Sequence, residues 1–172
     1  GELIGYRGVD RDITQRKQNE HELRIERDFN STVLEAAGNV IVVLDMAGNF
    51  VRFNRAAEEL TGYSRDEVIG KPVWELVLPH EQRMGVRGVF ETLREGNVEM
   101  GGEYENEWLT RDGERRLLHW HNSVLHDDDG NIRYIVALGY DISDQKQLEH
   151  SLRSQEQELA QIIDHIPNMI FL

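Results

Sequence analysis

The chain has 172 residues, 39% hydrophobic and 30% charged, and its 32 acidic against 19 basic side chains give a net charge of −13. That is a globular composition sized for one domain of about 110–120 residues plus helical connectors; its sign repels phosphate backbones and anionic lipid, which argues against nucleic-acid and membrane-surface partners. The absence of cysteine excludes disulfides, thiolate catalysis, cysteine-type zinc sites and cysteinyl cofactor adducts, and the lack of a signal peptide or an apolar run of ~20 residues predicts a cytoplasmic fragment, any membrane anchor lying elsewhere in the parent.

In chain order, residues 3–14 (LIGYRGVDRDIT) read as a strand with a polar stop, and 15–38 as a connector helix that Asp12 or Thr14 would cap. Val40–Leu44 and Phe50–Phe53 are strand-like on either side of the turn sequence Asp45–Asn49 (DMAGN), which predicts a hairpin. Arg55–Leu60 predicts a short helix ended by Thr61-Gly62-Tyr63. Ser64 and Glu67 then stand at capping-box spacing, with Gly70 as the stop. In HEQRMGVRGVFETLREG, the residues Met84, Val86, Val89, Phe90 and Leu93 give one apolar helix face that Gly96 terminates. Three strands follow, Tyr104–Thr110, Arg115–Leu125 and Ile132–Tyr140, joined at Arg111-Asp112-Gly113 and at Asp127–Gly130, where Asp-Gly is a hairpin signal. This order predicts an α+β unit: a five-stranded antiparallel sheet with short helices on one face, flanked by long N- and C-terminal connector helices.

The C-terminal connector, 144–166, carries Leu148, Leu152, Leu159, Ile162 and Ile166 at heptad positions that Gln155 interrupts. Roughly three heptads suit either a parallel two-stranded coiled coil or an amphipathic helix packed on its own domain. Its start repeats an earlier stretch: DISDQKQLEHSL at 141–152 lies on DITQRKQNEHEL at 12–23, an offset of 129 (141 − 12). The same offset sets Asn168 on Asn39. A constant shift over two separated segments signals a tandem repeat. The expected organisation is a strand remnant of a preceding unit (1–14), a connector (15–38), a complete unit (39–143), a second connector (144–166) and the start of a following unit (167–172).

FNRAAEELTGYSRDEVIGKP, ENEWLTRDGERRLLHW and VLHDDDGNIRYIVALGYDIS together resemble PAS-domain sequence in the tandem PAS/PAC form of bacterial multidomain signalling proteins. The resemblance covers about 40–143. It rests on Asn54 before the first helix, the Leu-Thr-Gly-Tyr and Glu-Val-Ile-Gly turns, the Arg-Asp-Gly hairpin and the closing Asp141-Ile142-Ser143. It implies a sensory and dimerising module, not a catalyst, that relays signals through helical linkers to a histidine kinase or cyclic-di-GMP enzyme. Its partners would be a second copy, neighbouring PAS units and that output domain. In this reading Asp141, Ile142 and Ser143 form the relay, since an acidic strand end that bonds the base of the next helix couples sheet position to helix orientation. The heptad residues would be the dimer seam.

A PAS-like unit also implies a pocket between the inner sheet face and the short helices. Strand alternation turns Leu118, Trp120 and Asn122 inward and His119 and His121 outward. Val42 and Leu44 match them on the first strand, with Ile135, Ala137 and Gly139 on the last; Trp74, Met84, Val89 and Phe90 would cover them from the helical side. These side chains either fill the core or line a ligand site, and Asn122 matters most because a buried amide needs partners. No cofactor is the main expectation. The alternative is a chemical or redox sensor holding a small organic ligand, or FAD stacked on Trp74, Trp108 or Trp120. Heme-binding relatives place a histidine about ten or eleven residues before the glycine ending the long helix; counting back from Gly96 reaches Gly85 and Val86, and His80 lies too early. His119, His121 and His126 lack the further ligands of a metal site. No phosphate loop, G-x-S-x-G elbow or H-E-x-x-H occurs, so no catalytic residue is assigned.

Overall fold

A computed structural model describes residues 7–165, with side-chain environments from 15 to 163. The chain divides into two units, separated between Gly38 and Asn39. The first contains one helix, α1 (Arg7–Ala36). Arg16–Glu20 and Arg24–Asp28 pair one turn apart along it, at 3.1 and 3.8 Å, the spacing at which helical side chains meet. Arg7–Thr14 is therefore helical rather than the strand expected over 3–14; residues 3–6 lie outside the described residues. The reason is local. A strand must find backbone partners on a neighbour, whereas a helix satisfies its N–H and C=O groups within the segment.

The second unit has the predicted α+β architecture. Strands β1 (Val40–Leu44), β2 (Phe50–Phe53), β3 (Glu103–Leu109), β4 (Arg115–His126) and β5 (Ile132–Asp141) form one antiparallel sheet in the order β2-β1-β5-β4-β3. Between β2 and β3 run α2 (Arg55–Thr61), α3 (Arg65–Val68), α4 (Val73–Leu76), a 3-10 turn (His80–Gln82), α5 (Arg83–Arg94) and α6 (Val98–Gly101). After β5 the chain enters α7 (Ser143–His165).

Short polar devices set these elements. Asp45 Oδ1 accepts from the N–H groups of Ala47 and Asn49 at 2.9 and 2.8 Å, closing the β1–β2 turn over Gly48 at φ 80°. Asp127 repeats the arrangement with Asp129 and Asn131 between β4 and β5. Asn54 caps α2 by accepting from Ala57 N–H at 3.1 Å, and the same oxygen accepts from Ile41 at 2.9 Å. Its amide donates to Asn39 O at 2.9 Å, so one buried side chain joins α2 to the first hairpin. The Ser64–Glu67 capping box forms as its spacing predicts. Glu67 also pairs with Arg111 of the β3–β4 turn. The Ser64 backbone N–H, then its hydroxyl, then Arg111 lower the Glu67 carboxyl to about 2.

Candidate functional site

Beneath α5 the inner face is incompletely packed, leaving a cavity of about 60 Å³. Its sheet wall contains Val42, Leu44, Trp120, Asn122, Ile135 and Ala137, and its helical wall contains Val89 and Phe90. These predicted residues come together. Three other side chains do not border the cavity, and neither does Gly139, which lies under the Trp120 ring. Met84 is 85% exposed: at 100° per residue it lies half a helical circumference from Leu93, off the buried stripe. Trp74 packs edge-on against Phe90 at 5.5 Å and covers Gly48, where a Cβ would lie 1.9 Å from its ring. Leu118 is fully buried within the packed core.

The cavity wall also contains Val73, Val86, Leu93, Tyr104, Asn106 and Trp108; the sequence put Val86 and Leu93 on the apolar face of α5 and named Trp108 only as a stacking surface for a flavin, and it did not reach Val73, Tyr104 or Asn106. Strand alternation applied to β3 reaches Tyr104, Asn106 and Trp108, since they share the face that pairs with Trp120, Leu118 and Arg116. Asn122 already has partners. Its Nδ2 donates to Gly101 O at 2.9 Å and its backbone N–H to Gly102 O, tying β4 to the end of α6. The indole Nε1–H of Trp120, in contrast, is buried with no hydrogen-bond partner among the described residues.

The second constellation is the β5–α7 junction. Asp141 Oδ1 accepts from Ser143 N–H at 2.9 Å, and Arg116 stands 3.6 Å from its other oxygen. Ser143 Oγ accepts from Leu117 N–H at 2.8 Å, while Ile142 N–H donates to Leu117 O at 2.9 Å. Ile142 and Ser143, where β5 passes into α7, thus extend the β4–β5 ladder and hold both backbone groups of Leu117. One turn on, Lys146 lies 3.8 Å from Glu105 of β3, and Glu105 also meets His119 Nδ1 at 3.3 Å.

The family profile described as PAS fold matches residues 28–142. The chain belongs to the PAS family. As a PAS domain it is 32% identical over 130 residues to the cyclic di-GMP phosphodiesterase PdeR of Escherichia coli, covering 73% of this chain and 19% of that protein. It is 29% identical over 129 residues to the sensor histidine kinase TmoS of Ectopseudomonas mendocina, covering 72% of this chain and 13% of that protein. The chain therefore spans a fifth or less of the length of these curated relatives. Among solved structures, a PAS domain from Colwellia psychrerythraea aligns with TM-score 0.58 at 23% identity over 68% of this chain and 97% of that one. The PAS domain of an HTR-like protein from Haloarcula marismortui aligns with TM-score 0.55 at 21% identity over 73% and 99%. Those two likenesses concern the fold.

Within this PAS domain the outer sheet face sets histidines beside carboxylates. His119 faces Glu105, and His121 lies 4.0 Å from Glu103. Leu148, Leu152, Leu159 and Ile162 are all more than half exposed along α7, as is Ile163 beside them; Ile166 lies outside the described residues. No helix among the described residues is long and apolar enough to cross a membrane.

Proposed function

We propose that this PAS domain is a non-catalytic sensory and dimerising relay in a cytoplasmic part of a bacterial signalling protein. It passes a change in the sheet through α7 to an output domain, a histidine kinase or a cyclic-di-GMP enzyme. The observation that carries this reading is the Ser143–Leu117 bond with its Asp141 cap. A displacement of β4 against β5 must move the base of α7, because the same residues terminate the ladder and start the helix. Relatives named as a phosphodiesterase and a sensor histidine kinase support the choice of output.

In the parent protein, Ser143→Ala should change basal output severalfold while the domain's circular dichroism is retained. Unchanged output from a folded variant would remove the relay. A second copy is the proposed partner of the exposed α7 row, with Leu148, Leu152, Leu159, Ile162 and Ile166 as a parallel seam and neighbouring PAS units before and after. Light scattering checks this: Leu152→Asp or Leu159→Asp should weaken the dimer, and an unchanged dimer would dismiss the seam.

A second reading, a chemical sensor, is favoured by the cavity and the unpartnered Trp120 N–H. The tryptophans do not favour FAD as its ligand: Trp74 lies outside the cavity wall and packs on Phe90, and Trp108 and Trp120 pack on each other at 4.8 Å.

A further inference from the structure

On the outer face of the sheet, a carboxylate is shared between a strand and the start of α7. Glu105 of β3 stands opposite His119 of β4 in the ladder, and Tyr140 of β5 stands on the other side of His119. One Glu105 oxygen lies 3.3 Å from His119 Nδ1, and the other lies 3.8 Å from Lys146 Nζ in the first turn of α7. All three side chains are partly exposed, so protons reach them freely and each contact is modest.

The other titratable and charged groups around this cluster come from four elements. On β3, Glu103 lies 4.0 Å from His121, and Glu107 is held by Arg115 at 2.7 Å. On β4, His121 shares the face of His119. On β5, Tyr140 is the direct neighbour, and Asp141 is engaged by Ser143 and Arg116. On α7, Asp144 lies two positions from Lys146 and off its face. Glu149 accepts from Gln145 at 3.0 Å, and His150 follows Lys146 by one turn.

Histidine is the side chain that changes charge between about pH 5 and 8. With His119 neutral, the whole Glu105 charge serves Lys146, and the pair ties the first turn of α7 to β3. With His119 charged, the imidazolium is the nearer cation. Its ring stands on a strand, whereas the ammonium ends a flexible four-carbon stem. The two cations then divide one carboxylate and repel each other, and Lys146 is the one released. The bonds of Ile142 and Ser143 to Leu117 involve none of these side chains, so the helix is loosened at one point without being detached.

We propose that His119, Glu105 and Lys146 form a proton-sensitive latch on α7, closed at neutral pH and opened when His119 takes up a proton. Its regulatory meaning rests on the α7 relay; the latch itself does not.

The test is amide exchange of the ¹⁵N-labelled chain at about pH 7.5 and 5.5, both above the ordinary carboxylate range, with each rate divided by that of unstructured peptide at the same pH. The reporter is Lys146 N–H, bonded to Ile142 O at 2.9 Å; the reference is Ile142 N–H, bonded to Leu117 O at 2.9 Å. On acidification the Lys146 protection should fall about two- to fivefold, the scale of an exposed ion pair, while Ile142 keeps its own. His119→Gln should hold the higher value at both pH values, and Lys146→Gln the lower value at both. His121→Gln and His150→Gln should respond as the native chain does. A Lys146 protection that stays level or rises on acidification overturns the latch. So does a fall that survives in His119→Gln, one that vanishes in His150→Gln, or an equal fall at Ile142. If the exchange results hold while Ser143→Ala leaves the parent's output unchanged, the latch stands and only the relay falls.

Discussion

The inner face of the sheet is packed in two contrasting ways. Toward β2, rings interlock: Phe50 meets Phe53 edge-on at 5.4 Å and Trp108 at 6.2 Å, and Phe53 stacks parallel to Trp108 at 6.5 Å. Phe50 and Phe53 are each 1% exposed. Toward α5, valines and a leucine face Tyr104, Asn106 and Trp120 across the cavity. Flat rings meet over wide areas at these separations, whereas branched aliphatics on one short helix touch a twisted sheet at fewer points. Trp120 belongs to both regions, since one side of it meets Trp108 and another borders the cavity. The contrast is one of packing: one end of the core is filled by interlocked rings, and the other leaves space beneath α5.

The sharpest way to break this distinction is truncation at each end. Phe53→Ala should cost about 3–5 kcal/mol, the range for removing a buried aromatic. Val89→Ala, at a half-buried position beside an existing cavity, should cost about 1–2 kcal/mol because few contacts are lost. Urea denaturation of both variants measures the gap, and equal losses would erase the comparison. Gly139→Ala comes next. Its new methyl group must displace the Trp120 ring, an overpacking change of about 1–3 kcal/mol. If the cavity yields to the displaced ring, the loss falls at the low end and the Trp120 indole resonance shifts; a loss at the high end would mean that the cavity end is as rigid as the aromatic one.

Much of the frame was legible in the sequence because it depends on neighbours in sequence. The turns at Asp45 and Asp127, the Asn54 cap, the Ser64–Glu67 box and the alternation of Leu118, Trp120 and Asn122 against His119 and His121 are all local patterns. What escaped depends on partners far along the chain. Met84 looked inward because it is apolar, but its angle on α5 turns it to solvent. Trp74 was drawn away by Gly48 and Phe90, and residues 7–14 formed helix instead of strand. Likewise, nothing local says that the Ser143 hydroxyl reaches Leu117, 26 positions earlier, or that Trp120 lacks a partner.

The smallest expected effect tests the aromatic end by pH. The turn after α3 is stitched to the strand that carries the rings: Gly70 N–H donates to Phe50 O at 2.8 Å, and Phe50 N–H to Lys71 O at 3.0 Å. The Glu67 capping box holds the start of that helix, and its carboxyl is lowered from 4.5 to about 2. A lowered carboxyl stabilises the fold in its ionised form. The contribution is complete above about pH 4.5 and is lost as pH falls through about 2. In that window, amide exchange at Val68 and Phe50 should quicken before exchange at Val89 or Phe90, and Glu67→Gln should remove the pH dependence of the difference. Loosening that begins under α5 would instead place the acid-sensitive brace at the cavity end and reverse the assignment of the stable region.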